Sequence, residues 1–363
     1  MSLGSIMIMA GGTGGHVFPG LAVAEALRAR DWSVVWLGTE RGIEARVVPP
    51  HGIEIEWITI VGVRGRGVAA YLSAPFRIAA AVAQALAALR RRKPAAVLGM
   101  GGFVAAPGGI AAWLTRRPLI IHEQNSVAGT TNRWLAPLAK KVFASFPDTF
   151  PAWAREEVVG NPVRDSIAPA DAPRERLGAR RAERRRLFII GGSQGARALN
   201  RALPQALAEL PPEQRPEVWH QAGRLGVEET RAAYAAAKVE ARVDVFVDDV
   251  ASAFRWADLV VARAGASTLA ELAAIGVGAI LVPLPTAIDD HQTMNARHYT
   301  AGGAGLAIPE KDLGPRSFAQ ALTSCLGDPG RLIAMAESAR REARLDAADR
   351  IASACVELAE AHR

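Results

Sequence analysis

Short apolar runs, each closed by turn residues and followed by an amphipathic stretch, recur from one end of this chain to the other. That recurrence leaves few folds open. In the first half the runs fall at residues 6–9, 34–37, 53–57, 96–98, 119–121, 141–144 and 158–159. In the second they fall at 187–190, 218–220, 243–246, 259–261, 279–282 and 305–308. All are of strand length, and stretches between them, such as 20–30, 75–92, 108–116, 197–209 and 268–275, have helical character. Strands alternating with helices assemble as right-handed βαβ units around a parallel sheet. Two such series in 363 residues predict an α/β protein of two doubly wound domains, divided at Asn161-Pro162.

Three runs end in glycine-rich turns: Gly11-Gly12-Thr13-Gly14-Gly15-His16, Gly99-Met100-Gly101-Gly102-Phe103 and Gly191-Gly192-Ser193-Gln194-Gly195. Glycine lets backbone N–H groups approach a ligand, and a following helix turns its positive end toward anionic oxygens. In an open parallel sheet, ligands bind beyond the carboxyl ends of the strands. Each turn is therefore a candidate phosphate or diphosphate cradle. The dinucleotide fingerprint G-x-G-x-x-G fails in the first turn, where Val17 stands in place of the third glycine, although Glu40 follows the second strand as a ribose-binding acid would. No G-x-x-x-x-G-K-[ST] occurs, which excludes a P-loop NTPase. Asp-x-Asp and H-E-x-x-H are also absent, and the adjacent pairs Asp248-Asp249 and Asp289-Asp290 read as solvated loops. The expectation is chemistry without a metal, in which helix N-termini and backbone amides stabilise a diphosphate.

Charge separates the two halves. Residues 1–162 carry 17 basic and 10 acidic side chains and residues 163–363 carry 26 of each, so the formal surplus of +7 sits in the first half. Residues 57–122 hold nine basic residues and no Asp or Glu. Such a region fits an anionic surface. It lacks a nucleic-acid-binding motif and has few interleaved aromatics, so nucleic acid is not the expected partner. The seven Arg between 174 and 186 read as a solvated face within a neutral half. No secretory signal and no apolar stretch of membrane-spanning length is expected. Two cysteines, Cys325 and Cys355, exclude a disulfide scaffold and fit a reducing compartment.

The first glycine turn together with Val17-Phe18-Pro19-Gly20 resembles the N-terminal loop of the MurG family. The similarity continues in order through Gly99-Met100-Gly101-Gly102-Phe103, His122-Glu123-Gln124-Asn125, Val159-Gly160-Asn161-Pro162-Val163-Arg164, Gly191-Gly192-Ser193-Gln194-Gly195-Ala196 and Arg263-Ala264-Gly265-Ala266-Ser267-Thr268-Leu269-Ala270-Glu271. That family consists of N-acetylglucosaminyltransferases that complete lipid II in peptidoglycan synthesis, and so serve cell wall biogenesis, cell shape and division. The resemblance implies the GT-B fold, two Rossmann-like domains facing a cleft. Residues 1–162 would bind the acceptor and membrane, 163–340 would bind UDP-GlcNAc, and a C-terminal helix within 341–363 would cross back to the first domain. The implied reaction moves GlcNAc from UDP-GlcNAc, a substrate rather than a cofactor, onto the C4 hydroxyl of MurNAc in lipid I, with inversion. No cofactor is implied. Another GT-B member, such as a glycolipid synthase or a UDP-GlcNAc 2-epimerase, is the alternative; an NAD-dependent dehydrogenase is disfavoured by the failed fingerprint.

Inverting transfer needs a base for the acceptor hydroxyl and a means of stabilising the departing diphosphate. Two groups compete as the base. His16 lies in the first glycine turn, and an imidazole ordinarily titrates near neutrality. Glu123 follows the 119–121 strand and so stands at its carboxyl end. By resemblance, Ser193, Arg164 and the turn formed by Ala266, Ser267, Thr268, Leu269, Ala270 and Glu271 hold the donor's diphosphate and ribose. Val247 meets the uracil through its backbone, Gln292 contacts the GlcNAc hydroxyls, and Thr13, Gly14, Gly15 and Asn125 close over the sugar. His291-Gln292 stands where the family often has two glutamines.

Lipid I implies membrane contact, peripheral and on the cytoplasmic face of the inner membrane. Leu72, Phe76, Ile78 and Val82 include helical spacings that could form an apolar patch, with Trp113 nearby by family analogy. Arg64, Arg66, Arg77, Arg90, Arg91, Arg92, Lys93, Arg116 and Arg117 would surround it and attract anionic lipid. Other cell-wall synthesis proteins are the further partners the family implies.

Overall fold

The computed structural model describes residues 3–60, 67–164, 167, 171–179, 184–192 and 195–362, with the backbone alone at 67–74 and 288. The alternation of strand and helix resolves into two units, Met1–Arg164 with Arg344–Arg363, and Asp165–Ala343. The first contains β1 (Ser5–Ala10), α1 (Gly14–Arg28), β2 (Ser33–Gly38), α2 (Glu44–Val47), β3 (Glu54–Trp57), α3 (Gly67–Arg92), β4 (Ala96–Gly101), α4 (Ala105–Leu114), β5 (Leu119–Glu123), α5 (Thr130–Leu135), β6 (Lys141–Ala144) and β7 (Glu157–Val158). The second contains α6 (Pro173–Gly178), β8 (Arg186–Ile190), α7 (Arg197–Ala208), β9 (Glu217–Gln221), α8 (Val227–Ala236), β10 (Arg242–Asp244), α9 (Val250–Trp256), β11 (Leu259–Ala262), α10 (Ala266–Ile275), β12 (Gly278–Leu281), α11 (His291–Ala301), β13 (Gly305–Ala307), α12 (Pro315–Leu326) and α13 (Pro329–Glu342). The last helix, α14 (Ala347–Ala361), belongs to the first unit.

The sheet orders are β3-β2-β1-β4-β5-β6-β7 and β10-β9-β8-β11-β12-β13, and every strand pair is parallel. In both, the order reverses beside the unit's first strand, between β1 and β4 and between β8 and β11. At such a switch the loops leaving the two strands run to opposite faces of the sheet and open a crevice.

Period-two alternation distributes the strand residues between two layers. In the first unit Ile6, Ile8 and Ala10 of β1, with Val34 and Trp36 of β2, face a core shared with α1 and α14. Met7 and Met9, with Val35 and Leu37, face a second core shared with α3, α4 and α5. Ile351, Ala352, Cys355 and Ala359 recur at helical spacing and lie in the first of these cores, which ties α14 to this unit. Burial there pushes the Cys355 thiol up to about 12, so it packs as a small hydrophobe. The second unit closes its main core around Leu187, Ile189, Leu259, Val261 and Ile280, covered by α7, α12 and α13.

Two helices start earlier than the sequence suggests. α1 opens at Gly14 rather than at residue 20, with Pro19 inside it. Proline forfeits one backbone bond, but Val17, Leu21, Val23, Ala24 and Leu27 are buried and keep the helix seated on β1 and β2. Gly14, Gly15 and His16 therefore occupy a first helical turn, not a loop. α3 likewise runs through Pro75 instead of beginning there.

Candidate functional site

The glycine turns meet at the switch points. In the first unit the turn after β1 and the turn at the end of β4 lie side by side, because β1 and β4 are neighbours, with Ala10 opposite Gly101. A Cβ on Gly102 (φ +79°) would come 2.2 Å from the Gly11 carbonyl oxygen. A Cβ on Gly101 (φ +100°) would come 2.9 Å from Nδ1 of His16. The absence of side chains at Gly101 and Gly102 therefore lets the first turn and the His16 ring pack against the second turn. Glu44, fully buried on α2, accepts hydrogen bonds from Gly12 N–H at 3.1 Å, Thr39 N–H at 2.9 Å and the Thr39 hydroxyl at 2.8 Å. Gly12 N–H is thus committed to protein. The Gly14 and Gly15 N–H groups, ahead of the first intrahelical bonds to the Thr13 carbonyl, remain as the α1 N-terminus.

The side chains around β5 separate by face. His122 and Gln124 share one face with Ile120, toward α1. There Nδ1 of half-buried His16 lies 2.8 Å from Gln124 Oε1. Gln124 Nε2 lies 3.0 Å from His122 Nδ1 and donates to the His122 carbonyl at 3.3 Å, and His122 Nε2 lies 2.9 Å from the Gly160 carbonyl. Burial lowers the His122 pKa to about 4; the charge of His16 adds to the fall and the Gly160 bond opposes it.

Glu123 points to the other face, where it is buried. One carboxylate oxygen accepts from the Asn125 backbone at 3.1 Å and from Asn125 Nδ2 at 3.2 Å. The other accepts from Gly129 N–H at 3.1 Å and Asn132 Nδ2 at 2.9 Å. A carboxylate with four donors orders the segment from Asn125 to Asn132 and holds half-buried Asn125 in place. Thr13 stands at the N-cap of α1 without a side-chain cap bond. Arg164 stacks its guanidinium 4.8 Å from the centroid of Phe18, the residue two after His16. The structure thus brings Thr13, Gly14, Gly15 and His16 together on α1, with Gln124 against them, and sets Glu123 on the opposite side of β5.

In the second unit, β8 leads into the third glycine turn and β11 into α10. A Cβ on Gly195 (φ +75°) would come 2.1 Å from the Ala222 carbonyl oxygen. Ser193 lies outside the described residues. The first backbone bond of α10 runs from Leu269 N–H to the Gly265 carbonyl at 3.0 Å, and Gly265 offers no side-chain cap. The N–H groups of Ala266, Ser267 and Thr268 therefore form an uncapped helix N-terminus, and the buried Ser267 hydroxyl has no hydrogen-bond partner among the described residues. Leu269 is buried in the unit, so only its backbone reaches this end. Ala270 and Glu271 follow on the same helix and are half-buried. Val247 has a buried side chain, so what it can offer a ligand is backbone. Gln292 accepts from Leu284 N–H at 3.0 Å through its carbonyl oxygen, which leaves its NH2 as the donor it can offer a ligand.

Sequence reasoning missed the groups that support these loops. Besides Glu44, buried Asn295 donates to the Ala264 carbonyl at 3.1 Å, just before α10. Buried Gln221 donates to the carbonyls of Gly192 and Val245 at 3.0 and 3.1 Å and so links the third glycine turn to the end of β10. The available signal was a polar residue within or just beyond an apolar run, as in His122-Glu123-Gln124.

The expected membrane residues that are described lie along α3 and at or just after the end of α4. Residues 75–80 of α3, including Phe76 (80% exposed), Arg77 and Ile78, are all exposed, whereas Ala81, Ala85, Ala88 and Leu89 are buried against the sheet. Arg90, Arg91, Arg92 and Lys93 stand roughly 20 Å further along the helix at about 1.5 Å per residue. Arg91 and Arg92 are ion-paired. Both bind the Glu56 carboxylate and Arg92 also pairs with Glu54, so their charge is compensated. Burial works to raise the Glu56 pKa, but the hydrogen bonds and charges of Arg91 and Arg92 prevail and hold it below the ordinary carboxylate value. The acid-free stretch of sequence is not acid-free in space, because β3 lies beside the end of α3. Val82 is half-buried and the Leu72 side chain lies outside the described residues, as do Arg64 and Arg66. Trp113 is 55% exposed at the end of α4, with Arg116 exposed and Arg117 half-buried just after it. Trp134 on neighbouring α5 is 69% exposed. No helix among the described residues is long and apolar enough to cross a membrane, and no group of three or more His, Cys, Asp or Glu among them could hold a metal ion.

Residues 6–144 match the glycosyltransferase family 28 N-terminal domain and residues 186–351 match the glycosyltransferase family 28 C-terminal domain. A relative from Nitrosococcus oceani is 55% identical over 98% of both chains, and one from Alkalilimnicola ehrlichii is 54% identical over 97% of this chain and 98% of its own. Both bear the name UDP-N-acetylglucosamine–N-acetylmuramyl-(pentapeptide) pyrophosphoryl-undecaprenol N-acetylglucosamine transferase. The crystal structure of Acinetobacter baumannii MurG superimposes with a TM-score of 0.84 at 41% identity, covering 98% of this chain and 99% of that one.

Proposed function

This chain belongs to glycosyltransferase family 28, and on that premise we propose that it transfers GlcNAc from UDP-GlcNAc to the C4 hydroxyl of MurNAc in lipid I. The products are lipid II and UDP, and the anomeric carbon inverts. One observation carries this reading: relatives of that name match this chain at 50% identity or more across both units. The geometry supports it. His16, on the uncapped first turn of α1, takes the proton of the acceptor hydroxyl at Nε2 while that oxygen bonds to C1 of GlcNAc. The bond from C1 to the diphosphate breaks, and UDP leaves with the electron pair. The N–H groups of Ala266, Ser267 and Thr268 stabilise that charge, with the third glycine turn and Ser193 beside it. Arg164 adds a cation held against Phe18. Glu271 receives the ribose hydroxyls, Val247 the uracil through its backbone, and the Gln292 amide the sugar hydroxyls. Glu123 holds Asn125 toward the sugar rather than acting as the base. Acceptor and membrane belong to the first unit and the donor to the second.

Incubation with radiolabelled UDP-GlcNAc and a lipid I analogue should give labelled lipid II, at a rate unchanged by a chelator. Isomerisation of UDP-GlcNAc without transfer would instead identify a 2-epimerase.

For the membrane, we assign the docking surface to Phe76, Arg77 and Ile78 on α3, to Trp113 at the end of α4 and to Arg116 and Arg117 just after it, at the cytoplasmic face of the inner membrane. Each basic residue near an anionic leaflet contributes roughly 1 kcal/mol, so neutralising both Arg116 and Arg117 to Gln should weaken binding to phosphatidylglycerol vesicles about 30-fold. Replacing Glu54, Glu56, Arg91 and Arg92 together with Gln, which keeps the local charge at zero, should leave it nearly unchanged. Vesicle sedimentation at low salt checks both; a larger loss from the fourfold variant would reverse the assignment.

A further inference from the structure

The hydrogen bonds running from Gly160 through His122 and Gln124 to His16 have only one consistent direction. A carbonyl oxygen only accepts, so His122 Nε2 carries the proton it shares with Gly160 at 2.9 Å. The His122 carbonyl also only accepts, so the NH2 end of the Gln124 amide faces it at 3.3 Å and faces His122 Nδ1 at 3.0 Å. Turning the amide over would set its oxygen against that carbonyl. It would also require a proton on both nitrogens of His122, whose pKa is near 4. Gln124 Oε1 is left to accept, and the atom 2.8 Å away is His16 Nδ1.

We infer that Gln124, oriented by His122 and the Gly160 carbonyl, is a positioning residue that fixes His16 as its Nδ1–H tautomer and so presents the Nε2 lone pair. This deepens the proposed function and rests on the reading of His16 as the base. Nε2 has no hydrogen-bond partner among the described residues. The Gly101 backbone packs against the ring, since a Cβ there would lie 2.9 Å from His16 Nδ1 and 3.0 Å from Cε1. The ring is thus fixed both by a hydrogen bond and by contact. Asn132 Nδ2 also donates to the His122 carbonyl, at 3.1 Å, which joins this arrangement to the segment anchored by Glu123. The device does for a tautomer what a carboxylate does in the Ser-His-Asp triad, where the wrong tautomer lowers kcat about 10⁴-fold, but it uses a neutral amide and adds no charge to the imidazole.

The test is the nitrogen NMR spectrum of the 15N-histidine-labelled protein, with the His16 signals identified by their loss in His16→Ala. Wild-type His16 should show a protonated Nδ1 and an unprotonated Nε2 at pH above its titration. Protonation at Nε2 in the wild type would overturn the inference without recourse to any variant. In Gln124→Met, which removes donor and acceptor at similar volume, the Nε2–H tautomer should appear and kcat should fall on the order of 10-fold, with KM for UDP-GlcNAc within about twofold. An unaltered tautomer in Gln124→Met would also overturn the inference. A tautomer that changes while kcat does not would leave the positioning role standing and reject His16 as the base.

Discussion

Replacing His16 with alanine should lower kcat by at least ~100-fold at saturating UDP-GlcNAc, the lower end of a general-base contribution. The ring is half-buried, and its hydrogen bond to Gln124 can be replaced by water entering the space the ring leaves, so thermal stability should change little. KM for the donor should also hold, because donor recognition is assigned to the second unit. Steady-state kinetics with the lipid I analogue, beside a thermal melt, checks all three quantities. A kcat within tenfold of wild type would place the base elsewhere.

Glu123→Leu should do the opposite in kind. It removes an acceptor of four hydrogen bonds from a buried position and leaves the donors of Asn125, Gly129 and Asn132 facing a methyl-lined space. Bonds to a charged group contribute about 1.5–3 kcal/mol each and act as a unit, so the loss is on the order of 4 kcal/mol. For a unit of this size that is roughly a 10 °C fall in melting temperature. Glu123→Gln keeps one acceptor oxygen and should lose less. If Glu123→Leu melted like the wild type while its kcat fell more than ~100-fold, the carboxylate would be the base and His16 the structural group.

These two residues show how far the sequence could be read. Both stand beside strand ends, both have chemistry suited to a base, and spacing along the chain does not separate them. Period-two alternation on β5 does, since Glu123 and His122 must face opposite sides of the sheet, but only the fold shows that α1 covers one side and α5 the other. Gly101 and Gly102 teach the same lesson. Their pattern fits a phosphate cradle, but only the fold shows that their lack of side chains also accommodates Gly11, 91 positions from Gly102, and His16, 85 positions from Gly101. Arg91 and Arg92 looked uncompensated because Glu54 and Glu56 lie outside the acid-free stretch, and strand β3 returns them to its neighbourhood.

What the sequence determined by itself was local or periodic: the alternation of strands and helices, the parallel α/β class, the glycine turns, and a family resemblance held in ordered motifs. Hydrophobic periodicity and turn chemistry act over a few residues, so they can be read from a few residues. The tertiary structure decided the strand order, and with it the placing of the first two glycine turns side by side at a switch point. It decided which polar groups share a face, which charges are paired, and that α14 completes the core of the first unit. Those outcomes depend on contacts between residues far apart in the chain, and no local pattern encodes which distant partner a buried Glu44, Gln124 or Glu123 will find.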